Sequence, residues 1–292
     1  MGGGSWTDEK FRSYSKSVGR SVDSSGYSMI KGMSAEQVYT QKSIADSLNP
    51  VGIKVRECRD SEEHPNTVPV ILALDVTGSM GETAVDVASK LNVIITELYK
   101  SITDVEFMIM GIGDFIFDRN PLQVSQFESD IRIAEQLDQL YFEFGGGPND
   151  WESYSAAWAF ANKHTDLDCW KRGKRGIIIT MGDEELNPSL PAKPNYELDA
   201  FAQEVDTKKL YDEVSKKYDI YHIDVDHRGF HPDMDRWHDV LGKDHVFKAK
   251  VDSVAQIITE IIKTSINRVS FDMFDIGIDL NHSDEEVNVV SW

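Results

Sequence analysis

Val68-Pro-Val-Ile-Leu-Ala-Leu-Asp75-Val-Thr77-Gly-Ser79 is the stretch from which the fold can be read. From Val68 to Leu74 the run is apolar without a break, and it closes on a carboxylate. A strand with no polar face has no side to turn to water, so this one is expected at the centre of a parallel sheet, covered on both faces. After a glycine turn at Gly78 to Gly81, the segment Glu82 to Ile102 places Val87, Leu91, Ile94, Ile95 and Leu98 at helical spacing.

The alternation continues outward. Strands are expected at Val105 to Ile112, Gly176 to Met181, Ile220 to Val225 and His245 to Ala249. Helices are expected at Ile131 to Leu140, Glu152 to Lys163, Asp199 to Lys217 and Val254 to Arg268, with a glycine loop at Gly145 to Gly147 opening the second of them. Repeated βα units pack as a mainly parallel sheet with helices on both faces. The expected fold is therefore α/β, Rossmann-like and doubly wound, on six strands. Before it, residues 1–66 read as a polar, loosely structured arm. Within that arm Ser34 and Gln37 mark a short helix that stops before Pro50, and Ile53 to Arg59 alternates like a half-exposed edge strand. The main unit is assigned to 67–268. An acidic C-terminal extension, 269–292, follows it.

Composition narrows the function classes. A hydrophobic fraction of 40% across 292 residues supports a folded core. The formal charge of −20 opposes docking on phosphate backbones or anionic lipid, so neither a nucleic-acid nor a membrane partner is expected. Cys58 and Cys169 stand far apart with no Cys-x-x-Cys spacing, which suggests a reducing compartment and no thiolate zinc site. With no signal-peptide pattern at Met1 to Ser5 and no run long enough to span a bilayer, the expected location is cytoplasmic.

In open α/β sheets ligands gather beyond the carboxyl ends of the strands. Three clusters fall there. Asp75, Thr77 and Ser79 offer a carboxylate and two hydroxyls on one tight turn, hard oxygens of the kind Mg²⁺ prefers. Gly145-Gly-Gly-Pro148-Asn149-Asp150-Trp151-Glu152-Ser153 leads into a helix, where Asn149 or Asp150 serves equally well as an N-cap with Glu152 in the first turn. Thr180-Met-Gly182-Asp183-Glu184 ends another buried strand, with Asp183 the first choice for a ligand and Glu184 the second. Asp114 and Asp118 are candidates for the rim. A His and Asp group around His222, Asp224, Asp226, His227, His231, Asp233 and His238 has no compact zinc spacing and reads as hydrogen-bonded residues of the surface. Lys171, Arg172, Lys174 and Arg175 read as a solvated basic turn.

The motif Asp75-x-Thr77-Gly-Ser79 after such a strand resembles the metal-ion-dependent adhesion site of von Willebrand factor A domains, and the element order from Val68 to Arg268 is similar. The resemblance implies Mg²⁺ or Mn²⁺ held by Asp75, Thr77 and Ser79, with Asp183 acting through water. The chain departs from that pattern at Pro148, where the family has a threonine; Asn149, Asp150 or Glu152 would supply the missing oxygen. The function implied is a non-enzymatic, metal-dependent protein-binding module whose partner contributes an acidic side chain, with an AAA+ ATPase as a partner class. Two other readings compete. Asp-x-Thr-Gly-Ser also resembles the nucleophile turn of haloacid dehalogenase-like phosphoryl-transfer enzymes, in which Asp75 would attack phosphorus beside Mg²⁺. Alternatively the ion is a closed structural clasp in an assembly subunit.

Overall fold

In the computed structural model, which describes residues 4–30, 33–143, 151–226 and 234–275, the run Val68–Asp75 is a strand, β1, at the middle of a six-stranded sheet. The other strands are β2 (Val105–Ile112), β3 (Leu122–Val124), β4 (Gly176–Gly182), β5 (Tyr218–Asp226) and β6 (Val246–Lys250). Across the sheet they lie in the order β6-β5-β4-β1-β2-β3. All neighbours are parallel except β3, which runs antiparallel to β2 with Met110 opposite Val124 and Ile112 opposite Leu122. This is the doubly wound order, in which the winding reverses between β1 and β4 and opens a crevice at their carboxyl ends.

Alternate residues of β1 serve opposite cores, as the two-residue period of a strand requires. Val70, Leu72 and Leu74 join a layer with α2 (Gly81–Tyr99), α3 (Arg132–Leu137) and α7 (Val254–Asp275), through Leu91, Ile95, Ile133, Ile258 and Ile262. Ile71 and Ala73 face the other layer with α4 (Ser155–Lys163), α5 (Thr207–Val214) and α6 (Asp235–Leu241), through Trp158, Phe160, Leu210 and Trp237. Each such side chain taken fully from water contributes about 1.5–3 kcal/mol.

The N-terminal segment differs from the loose arm expected. It forms a helix, α1 (Asp8–Ser17), capped by the Thr7 side chain, and it buries Trp6, Phe11, Ile30, Tyr39 and Leu48 in the first core layer. Asn92 of α2 fastens it: its Oδ1 accepts from Trp6 Nε1 at 2.9 Å, and its Nδ2 donates to Asp8 Oδ1 and the Gly26 carbonyl. The single helical turn at Ala35–Val38 has the expected Gln37 contact, its Oε1 accepting from Ser34 N–H at 2.9 Å. That turn lies so close to α2 that a Cβ on Gly81 would stand 2.6 Å from the Ala35 Cβ.

Several boundaries move for local reasons. The edge strand expected at Ile53 to Arg59 shrinks to Arg56–Cys58, because a turn closed by Ile53 N–H on the Pro50 carbonyl uses the preceding residues. It pairs in parallel with Thr165–Leu167, apart from the main sheet. The helix expected from Asp199 begins only at Thr207, where the Asp206 carboxylate accepts from Lys209 N–H and so starts it afresh. Trp151–Glu152 is a short strand beside Glu185–Leu186, so Glu152 does not occupy a first helical turn. Among the described residues no helix is long and apolar enough to cross a membrane.

Candidate functional site

Asp75 closes β1 and Asp183 follows the last residue of β4, so the two carboxylates flank the crevice where the winding reverses. Between β1 and α2 the turn Val76–Met80 folds back over Asp75. Its Thr77 donates twice to Asp75 Oδ1, from the backbone N–H at 2.8 Å and from Oγ1 at 2.6 Å. Thr77 Oγ1 lies 3.2 Å from Ser79 Oγ, and Ser79 Oγ donates to Asp183 Oδ1 at 2.9 Å. Four residues from two loops are thereby strung into one chain of oxygens. Asp75 is wholly buried, and Thr77 and Asp183 are buried as well.

The remaining Asp75 oxygen, Oδ2, accepts from the Tyr154 hydroxyl at 3.1 Å. Sequence reasoning passed over Tyr154; its position just after Glu152-Ser153 was the one signal available. Glu152 is buried, and its Oε2 has no hydrogen-bond partner among the described residues. Asn149 and Asp150 lie outside the described residues. Glu184, next in the chain, meets the same group through its backbone: its N–H reaches Tyr154 Oη at 3.4 Å and its carbonyl accepts from Trp237 Nε1.

Electrostatically the crevice is crowded with negative charge. Burial, followed by the charge of Asp183, pushes the Asp75 carboxyl up to about 7, and the hydrogen bonds from Thr77 and Tyr154 offset this only in part. Burial also drives Glu152 upward, and the charges of Asp75, Asp118, Asp114 and Glu184 add to it. Among the described residues no three His, Cys, Asp or Glu side chains converge as a ligand set by themselves.

The rim is built by the loop after β2. Asp114 N–H donates to Asp118 Oδ2 and Ile116 N–H to Asp114 Oδ1, so both carboxylates brace their own loop. Ser153 Oγ accepts from Phe115 N–H, and Lys193 Nζ donates to the Phe115 and Asp118 carbonyls. Thus clamped, the loop exposes Ile116 and Phe117.

One sequence reading changes. His222 is a buried residue, not a surface one: its ring stacks on Trp237 at 3.5 Å, its Nδ1 lies 3.0 Å from Thr180 Oγ1, and burial holds it well below the usual imidazole range. His227, His231 and Asp233 lie outside the described residues. In the basic turn, Lys171 pairs with Asp166 and Asp168, Arg172 with Asp60, and Arg175 with Asp219.

No protein-family model matches the chain, and no curated protein does. Among solved structures it is similar to the pilus adhesin SpaC from Lactobacillus rhamnosus GG in its open conformation, with a TM-score of 0.49 and 11% identity over 70% of this chain and 31% of that one. The likeness is one of chain course. The chain thus spans about a third of that adhesin's length. It is also similar to the vWF domain of the type V pili tip protein Mfa5 from Porphyromonas gingivalis, with a TM-score of 0.44 and 12% identity over 75% of this chain and 98% of that one. A third is proximal thread matrix protein 1 from the mussel byssus, with a TM-score of 0.45 and 11% identity over 66% and 47%.

Proposed function

We propose that the chain is a von Willebrand factor A-like module that holds one divalent cation, Mg²⁺ or Mn²⁺, at Asp75, Thr77, Ser79 and Asp183, and binds a protein partner there. One observation carries this reading: four hard-oxygen side chains are linked at 2.6–3.2 Å across the crevice between β1 and β4. Asp75 is wholly buried, and burial pushes its carboxyl up to about 7, so holding it in the charged form carries a cost. A cation removes that cost by favouring the charged form, as it would for Glu152, whose Oε2 has no hydrogen-bond partner among the described residues. Bound there, the ion would supply a Lewis-acidic position for an acidic side chain of the partner. An AAA+ ATPase is the partner class that the family resemblance implies.

The phosphoryl-transfer reading would need a substrate flap after the nucleophile turn, and only Val76–Met80 separate β1 from α2. The test is Mn²⁺ titration of the full chain by calorimetry, together with anomalous diffraction from Mn²⁺-soaked crystals. One bound ion beside Asp75, abolished in Asp75→Ala, is the expected result. Absence of both heat and anomalous signal defeats the proposal.

A further inference from the structure

Resting on that cation reading, we infer that Tyr154 is a positioning residue for the ion, and that Gly182 supplies the space that lets it act. The phenol donates to Asp75 Oδ2 at 3.1 Å while Thr77 occupies Oδ1 with two donors, so both oxygens of the carboxylate are aimed before any cation arrives. A carboxylate oxygen accepts along two lone-pair directions; Oδ1 fills both with Thr77, and Oδ2, accepting from the phenol, retains one for an ion.

The ring has little freedom to move. Tyr154 is wholly buried and packs 5.2 Å from the rings of both His222 and Trp237, which are themselves stacked on each other. Trp237 Nε1 donates to the Glu184 carbonyl at 3.3 Å, and Glu184 N–H reaches the Tyr154 oxygen at 3.4 Å. The phenol is thus tied to the loop that carries Asp183 as well as to Asp75. A Cβ at position 182 would fall 1.8 Å from the Tyr154 hydroxyl oxygen and 2.5 Å from Cζ, so any side chain there expels the ring. The glycine after Met181 is therefore part of the same device. Groups that orient a ligating carboxylate typically matter for metal affinity by about 10–100-fold.

The experiment is Mn²⁺ titration of wild type, Tyr154→Phe and Gly182→Ala, with Phe160→Leu as a control buried in α4, the helix that starts just after Tyr154. Tyr154→Phe keeps the ring packing and removes one hydroxyl. It is expected to weaken Mn²⁺ by about 10–100-fold with an unchanged far-ultraviolet spectrum. Gly182→Ala, where folded, should weaken it at least as much, and Phe160→Leu should lower the melting temperature while leaving affinity alone. Mn²⁺ binding by Tyr154→Phe within about twofold of wild type overturns the role of the phenol and leaves the cation site standing. A wild-type chain that takes up no Mn²⁺ overturns both.

Discussion

Replacing Asp75 by Asn should stabilise the metal-free protein and abolish its response to metal. Asp75 is wholly buried, and its carboxyl is pushed from 3.8 to about 7. A pKa raised on folding means that the stability is complete below the unfolded value, near pH 4, and is lost as pH rises through 7. About three units at roughly 1.4 kcal/mol each sets an upper bound of about 4 kcal/mol on the penalty at pH 8. Asparagine carries no charge and keeps the Oδ1 contacts of Thr77. Its amide nitrogen cannot accept from Tyr154, and the mismatch costs about 1 kcal/mol. The net gain, up to about 3 kcal/mol, corresponds to a rise of roughly 5–10 °C in melting temperature for a chain of this size. The assay is thermal unfolding at pH 5 and pH 8, in EDTA and in excess Mg²⁺. Wild type should lose stability between the two pH values in EDTA and regain about 3 kcal/mol from Mg²⁺ at a hundred times its dissociation constant. The variant should lose less than wild type between the two pH values, by the share due to Asp75, and gain nothing from Mg²⁺. An Asp75→Asn protein that is no more stable than wild type in EDTA at pH 8, or equally stabilised by Mg²⁺, refutes the argument.

Three further outcomes follow from other parts of the molecule. Trp6→Ala should destabilise by about 3–5 kcal/mol in urea titration, since the indole is buried and bonded to Asn92. In the loop after β2, Phe115→Ala should cost a similar amount, because Phe115 is 3% exposed and set edge-on to Phe201. Phe117→Ala, at 50% exposure, should change stability by no more than about 0.5 kcal/mol, and the urea midpoints of the pair distinguish the two cases. Glu106 is raised to about 7, first by burial, against the opposing Cys58 hydrogen bond and His64 charge. Wild type should therefore lose stability as pH rises from about 4.5 through 7, and Glu106→Gln should flatten that part of the profile, read as urea midpoints at pH 5 and 8.

The elements readable in the sequence were those buried on both faces. Val70–Leu74 and Phe107–Ile112 are apolar and buried throughout, so these strands show in the sequence despite Glu106 near the start of the second. Helix α1 was missed because Asp8, Glu9, Lys10, Arg12 and Lys16 surround the one large buried side chain, Phe11, leaving no apolar stripe to read. The antiparallel edge β3 is three residues long, too short for a period to show. At the site, Asp75, Thr77 and Ser79 were legible because one turn holds them, and Asp183 because it follows a buried strand. Tyr154 was not, since its role depends on a glycine 28 positions later whose missing Cβ matters only once β4 lies beside β1. His222 was misplaced because the residue that covers it, Trp237, comes from a helix the sequence reading did not include.

The clasp between Trp6 and Asn92 joins residues 86 positions apart, with the first to be made waiting on the last. At ribosomal speeds that interval is roughly 4–17 s, during which the indole and Phe11 have left the exit tunnel without their docking surface. The opening segment must therefore anneal onto a sheet that nucleates downstream, and tryptophan emission at Trp6 would time that final closure.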